Sequence, residues 1–153
     1  GPDQASCFEI VPSETAGDLV IPIVGRGAAY ADIDMDGDLD VIVTQAGDRP
    51  LLLRNEQSLG HSWIRLKLED PTSANPNAIG AWIELTSDGI TQRRQIMPTR
   101  SYLSQVELPV TFGLEEETDI EKLEIIWPDG GVQRVDPADL RLNRQHTVIR
   151  QAQ

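Results

Sequence analysis

Alternating apolar and polar positions run through much of the chain and predict β-strands. In residues 63–69, apolar side chains at the even positions alternate with charged ones from position 65 onwards. Residues 81–86 repeat this alternation, and the following Asp88-Gly89 pair is typical of a hairpin turn. Further strands are expected at residues 90–97, 123–127, 132–135 and 146–150.

The pattern indicates an all-β fold. No long stretch has the 3.6-residue period of an amphipathic helix, and residues 115–121 and 137–142 are too short to be more than loops or single turns. Short strands joined by turn residues favour an antiparallel β-sandwich or barrel. A change of composition near residues 57–60 predicts a first part at 1–58 and a second at 59–153, with Gly1-Pro2 typical of a protease-cleavage scar.

Composition and charge exclude several classes of function. The 153 residues contain 25 acidic and 13 basic side chains, so the net charge is -12. Such acidity disfavours nucleic acid and anionic membranes as partners, because both require a basic surface. No apolar run approaches the about 18 residues of a membrane span, so membrane insertion is not expected. The single cysteine, Cys7, excludes an internal disulfide and a multi-cysteine zinc site.

The most informative segment is an aspartate-rich stretch, residues 32–40, which read DIDMDGDLD. Carboxylates at alternate positions, with a glycine that permits a tight bend, are what a Ca²⁺ ion requires of a loop. Without a cation, five carboxylates this close would repel one another. Magnesium is less suited, since its small octahedral shell retains more water. The expected calcium ligands are Asp32, Asp34, Asp36 and Asp40 through their side chains and Asp38 through its carbonyl.

This stretch is not an EF-hand or a dockerin loop. An EF-hand requires a glutamate at the twelfth position, where this chain has Val43, and it requires a helix to follow. The residues that follow, at 39–44, are rich in β-branched side chains and predict a strand. The sequence therefore predicts a calcium loop between two strands, at 28–32 and 39–44.

Residues 25–32, the aspartate stretch and the strand after it resemble an FG-GAP-type, integrin-like β-propeller repeat, and residues 49–55 are similar to the end of such a blade. The second part resembles the ASPIC and UnbV domain, which closes proteins of the cartilage acidic protein type. The segments that carry this second resemblance are residues 61–68, 77–81, 102–105, 112–114 and 127–130.

The resemblance implies one FG-GAP-like blade fragment followed by a sandwich-like domain, in a secreted or cell-surface protein whose repeats bind calcium. A single blade cannot close a propeller, because repeats need neighbours to bury their faces. The expectation is therefore the C-terminal part of a longer propeller protein, or alternatively a short protein whose lone blade packs on the second domain. The expected role is a calcium-binding interaction or adhesion module with a protein or matrix partner.

Two other functions compete with this one. Trp63 and Trp82 lie among charged neighbours on predicted strands, and flat exposed rings could stack on glycans in a calcium-dependent carbohydrate module; packing against the first part is the simpler interpretation. A hydrolytic enzyme comes third. No Gly-x-Ser-x-Gly elbow brackets a serine, and neither His61 nor His146 stands in a catalytic pattern, so we expect no enzyme activity.

Overall fold

The computed structural model describes residues 10–56, 59–116 and 119–151. Within these ranges the chain is all-β, as predicted, apart from a four-residue helix α1 at Ser13–Ala16 and 3₁₀ turns at Gly17–Val20 and Pro137–Asp139. The described residues form twelve strands in chain order: β1 (Gly25–Ala31), β2 (Asp40–Gln45), β3 (Leu51–Leu53), β4 (Ser62–Glu69), β5 (Trp82–Ser87), β6 (Ile90–Gln95), β7 (Thr99–Ser101), β8 (Ser104–Gln105), β9 (Val110–Leu114), β10 (Ile120–Ile126), β11 (Val132–Val135) and β12 (Arg144–Ile149).

The first part of the chain forms a three-stranded antiparallel sheet with the order β1-β2-β3. Ala31 pairs with Asp40, so the aspartate stretch is the turn of the β1–β2 hairpin. No strand pair among the described residues joins this sheet to the later strands. The predicted boundary at 57–60 is not tested further, since residues 57 and 58 lie outside the described ranges, as do Gly1-Pro2 and Cys7.

The second part contains a four-stranded sheet, β11-β10-β5-β6, and a three-stranded sheet, β12-β4-β9. Both contribute to one hydrophobic core, which is the arrangement of a β-sandwich. The expectation of purely antiparallel pairing was wrong in one place, because β12 runs parallel to β4. A parallel partner cannot arrive through a hairpin, and here most of the sandwich separates the two strands.

The core follows the alternation predicted from the sequence. Ile64, Leu66 and Leu68 of β4 are buried. They pack in one core with alternating residues of the facing sheet such as Ile83 and Ile125, both fully buried. Trp127 is also buried, as expected of an inward-facing residue. The core comprises Ile64, Leu66, Leu68, Ala78, Ala81, Ile83, Leu85, Ile96, Phe112, Leu114, Leu123, Ile125, Trp127 and Val148.

Several local elements differ from the sequence prediction. The stretch 115–121 is divided, because β10 begins at Ile120 and residues 117–118 lie outside the described ranges. Within 137–142 only a short 3₁₀ turn forms, with the Asp136 carboxylate accepting the amide N–H of Ala138 at its start. Neither α1 nor the small β7–β8 hairpin was expected, since both are too short to show a period.

The first sheet contacts the second part of the chain along β1, where β1 meets the two-stranded β7–β8 hairpin. The amide of Ala28 donates to the hydroxyl of Ser104 on β8 (3.1 Å), and that hydroxyl donates to the carbonyl of Tyr102 (3.0 Å). Ser104 is buried, so this contact between the two parts is shielded from water. The contact brings the hairpin turn with the aspartates next to the odd-numbered side chains of β4.

Candidate metal centre

The aspartate loop, residues 32–39, joins β1 to β2, and its side chains differ in exposure. Asp34 and Asp36 are exposed. Ile33 and Met35 are 52% and 71% exposed, whereas the Asp32 side chain between the strand and the loop is fully buried. Gly37 has φ +100°, a conformation that favours glycine, and its position allows the loop to turn back towards β2.

Three of the predicted ligands lie together. One carboxylate oxygen from each of Asp32, Asp34 and Asp36 lies within 4.8 Å of the others. This spacing lets a single cation contact all three, because calcium–oxygen distances are about 2.3–2.6 Å. The loop therefore places carboxylates from alternate positions on one side, as the spacing in the sequence predicted.

The two carboxylate oxygens of Asp32 differ in their partners. Its Oδ2 accepts the amide N–H of Gly37 (3.2 Å) and lies 2.8 Å from Nη1 of Arg65. Its Oδ1 is buried and has no hydrogen-bond partner among the described residues. A buried carboxylate oxygen without a donor costs free energy unless a ligand satisfies it.

Asp40 occupies a different environment from the clustered three. Its Oδ2 accepts the amide of Ile33 (3.1 Å) and its Oδ1 accepts the amide of Asn55 (2.8 Å). The residue is 2% exposed. Asp40 thus holds the two ends of the loop together, and it does not belong to the three-carboxylate group.

The charges of the loop act on one another. Burial raises the pKa of the Asp38 carboxyl, and the neighbouring carboxylates of Asp36, Asp32, Asp40 and Asp34 raise it further. A raised carboxyl pKa means that the site disfavours another negative charge. Added positive charge would relieve the repulsion within this group.

Side chains from the second part of the chain pack against the loop, and the sequence did not predict these contacts. Position 65 was interpreted as one of the charged positions opposite the core face of β4. Arg65 does point away from the core, but its side chain is only 7% exposed because the loop covers it. It forms ion pairs with both Asp32 and Glu107, although its Nε and Nη1 atoms have no hydrogen-bond partner among the described residues. Glu107 also accepts the amide of Asp32 (3.2 Å). Burial raises the pKa of Glu107, and Arg65 opposes that effect.

Trp63 also packs against the loop. The residue is half-buried, and a Cβ added at Gly37 would collide with its indole ring. These contacts therefore support the simpler interpretation of Trp63, in which its ring packs against the first part of the chain. No signal in the strand alternation could have shown this, since Trp63 and Arg65 look like ordinary solvent-facing positions.

The other cation near the loop is exposed. Nη2 of Arg54 lies 2.8 Å from Oδ2 of Asp34, and Nε of Arg54 lies 3.1 Å from Glu56. The Arg54 and Asp34 side chains are 54% and 29% exposed. An exposed ion pair of this kind contributes little free energy and is easily rearranged.

Trp82 lies elsewhere on the sandwich. The guanidinium of Arg93 stands 4.2 Å from the Trp82 ring centre and pairs with Glu84 (3.1 Å). One face of the indole is therefore covered by a neighbouring side chain.

Comparison with known proteins gives the family. The model of the family described as ASPIC and UnbV matches residues 71–153, more than half of the chain. The chain belongs to the ASPIC and UnbV family. The match covers most of the sandwich, from the loop after β4 onwards, and it confirms the resemblance of the second part. No helix among the described residues is long and apolar enough to cross a membrane.

Two curated relatives are similar over more than this domain. Cartilage acidic protein 1 of Xenopus tropicalis is 31% identical over 123 residues, which cover 78% of this chain and 18% of that protein. The human protein of the same name is 31% identical over 110 residues, covering 69% and 16%. Both similarities extend upstream of the matched family domain. The chain spans less than a fifth of the length of either relative.

Proposed function

We propose that this chain is a calcium-binding interaction module, in which a structural Ca²⁺ ion in the aspartate loop stabilises the β1–β2 hairpin. Two observations carry the proposal. Oδ1 of Asp32 is buried and has no hydrogen-bond partner among the described residues. One carboxylate oxygen of Asp32 also lies within 4.8 Å of an oxygen from each of Asp34 and Asp36. These three side chains would supply the ion's ligands, with the Asp38 carbonyl, and Asp40 would brace the loop. The pKa of Asp38 is raised first by burial and then by the neighbouring carboxylates, and the ion's positive charge would offset both effects.

The ligand atoms that the loop offers are of the kind that calcium prefers. All the atoms on offer are oxygens, which is what hard divalent cations prefer, and nitrogen and sulfur donors are not needed. Calcium at about one hundred times its Kd should add about 2.7 kcal/mol to the free energy of unfolding. For a chain of this length, that gain corresponds to a rise in Tm of roughly 5–10 °C.

The wider setting is proposed from resemblance. The three-stranded sheet with its aspartate loop fits a fragment of an FG-GAP-like propeller blade, and the curated relatives are several times longer than this chain. We therefore infer that the first sheet is part of an FG-GAP-like propeller blade. The relatives' name refers to cartilage and to acidity, and this chain shares the acidity with a net charge of -12. A secreted or cell-surface location with a protein or matrix partner follows as the proposal.

The test compares two single aspartate substitutions in the first part of the chain, one inside the loop and one outside it. Asp36→Asn should abolish the rise in Tm on adding calcium to chelator-treated protein, because it removes a ligand charge while keeping the size of the side chain. Asp48→Asn is the matched control, since Asp48 lies in the exposed turn between β2 and β3, at the end of β2 opposite the loop. Scanning calorimetry of both variants with and without calcium measures the effect. An undiminished calcium response in Asp36→Asn would refute the proposed ligand set.

The two other functions keep less support. Carbohydrate stacking needs a free ring face, but Arg93 covers one face of Trp82 and Gly37 lies against Trp63. For an enzyme, converging polar groups are needed; Nε2 of His146 instead contacts the backbone of Arg141, at 2.9 Å from its carbonyl oxygen. We therefore propose a non-enzymatic role, and a glycan array with and without calcium tests the carbohydrate alternative.

A further inference from the structure

The aspartate loop is enclosed on one side by residues that belong to a different sheet. Its hairpin lies in the first sheet, while Trp63 and Arg65 lie two residues apart on β4 of the sandwich. Both side chains project from the face of β4 opposite the core. They contact the loop at two points, the backbone of Gly37 and the carboxylate of Asp32.

Arg65 determines which oxygen of Asp32 is available. The guanidinium pairs with Oδ2 of Asp32 and with Oε2 of Glu107, and it is almost completely buried. With Oδ2 occupied by Arg65 and by the amide of Gly37, Oδ1 is left for a ligand. Glu107 also accepts the amide of Asp32, so the carboxylate and the backbone of this residue are both held from the sandwich.

Trp63 limits the path of the loop backbone. The indole occupies the space where a side chain at position 37 would lie, so only a glycine lets the loop close against β4. Gly37 in turn donates its amide to Asp32, which links the path of the backbone to the orientation of the carboxylate. A shift of the loop away from Trp63 would therefore disturb the same oxygen pair that Arg65 holds.

We propose that the metal site is built across both parts of the chain, with Trp63 and Arg65 as positioning residues, so that calcium binding and the contact between the first sheet and the sandwich strengthen each other. This inference rests on the proposed function. Because coupling between two equilibria is reciprocal, whatever loosens the contact must weaken calcium binding by the same factor.

A double-mutant cycle tests the contact at Gly37. In the wild-type background, Gly37→Ala should weaken calcium binding by about tenfold or more, from backbone strain and from the collision with Trp63. In a Trp63→Ala background the collision is absent and only the backbone strain at position 37 remains, so the loss caused by Gly37→Ala should be at least about threefold smaller than in the wild-type background. Isothermal titration calorimetry with calcium chloride on chelator-treated full chain gives all four affinities.

A charge-conserving substitution tests Arg65 separately. Arg65→Lys keeps the positive charge but loses the planar fork that reaches Asp32 and Glu107 together, so calcium affinity should fall about five- to tenfold. Lys67→Arg is the control, because Lys67 projects from the same face of β4 but pairs with Glu69 at a 40% exposed position. Its affinity should stay within about twofold of wild type.

An NMR readout distinguishes positioning from general destabilisation. Calcium should shift the indole N–H signal of Trp63, which lies against the loop, and leave that of Trp127 in the sandwich core unchanged. A wild-type chain that takes up no calcium overturns both this inference and the proposed function. If the wild type binds calcium but the Gly37 losses are equal in both backgrounds and Arg65→Lys binds normally, this inference alone is overturned.

Discussion

Carboxyl groups in the sandwich and in the aspartate loop have pKa values that are shifted in opposite directions. In the sandwich, the buried Asp70 accepts from the Thr72 hydroxyl and from Arg150, which lowers its pKa to about 2. Glu124 is likewise paired, and hydrogen bonds from Lys122 and Arg134 lower its pKa. In the loop, burial and neighbouring carboxylates raise the pKa of Asp38.

The comparison shows that acidic side chains in the two regions lie in different environments. Asp70 and Glu124 in the sandwich are paired with side chains of the chain itself. The loop gathers carboxylates with one buried, unpaired oxygen, and on our account an external cation satisfies it. The following predictions separate an ion-independent region from an ion-dependent one.

The largest effect should come from the sandwich core and should not depend on calcium. Ile83→Ala removes a fully buried side chain and should lower the free energy of unfolding by about 2–5 kcal/mol. The exposed Ile90, on the neighbouring strand, is the matched control, and Ile90→Ala should change it by less than about 0.5 kcal/mol. Urea unfolding in calcium and in chelator measures both. A loss for Ile83→Ala confined to the calcium-loaded protein would contradict the comparison.

The second effect is a pH dependence located in the sandwich. Since the folded pKa of Asp70 is about 2, against 3.8 for an ordinary aspartate, its contribution is present above pH 3.8 and is lost as the pH falls towards 2. Asp70→Asn should remove this part of the acid destabilisation, as followed by thermal unfolding between pH 5 and pH 2. Asp139→Asn, in an exposed 3₁₀ turn, should retain the wild-type slope. An unchanged slope in Asp70→Asn would show that other carboxylates cause the acid sensitivity.

The smallest effect concerns the exposed cation beside the loop. Arg54 pairs with Asp34, so Arg54→Gln should free that carboxylate and strengthen calcium binding by about two- to fivefold. Arg49→Gln, at an exposed position in the turn between β2 and β3, should leave the affinity unchanged. Calcium titrations of the two variants provide the comparison. Weaker binding in Arg54→Gln would mean that Arg54 supports the site instead of competing with it.

Much of the sandwich could be predicted from the sequence because its core obeys a period of two. Ile64, Leu66 and Leu68 alternate along β4, and the Asp88-Gly89 turn sits between β5 and β6 where expected. The parallel pairing of β12 with β4 could not be predicted, since it depends on where a distant strand arrives and not on its own pattern. The β7–β8 hairpin is too short to display any period.

The candidate site was predicted in part for a similar reason. Alternate aspartates in one loop are a local signal, and the structure brings Asp32, Asp34 and Asp36 together. The positions of Arg65 and Trp63 depend on the docking of two sheets that are separate in sequence. An arginine at an outward strand position normally faces water, and only the covering loop makes this one buried.

Calorimetric titration of chelator-treated wild-type chain with calcium, repeated with magnesium, tests the central claim most directly. The account predicts saturable binding of one calcium ion per chain, weaker binding of magnesium, and a higher Tm in calcium that Asp36→Asn abolishes. Absence of calcium binding, or a Tm that calcium leaves unchanged, would contradict it.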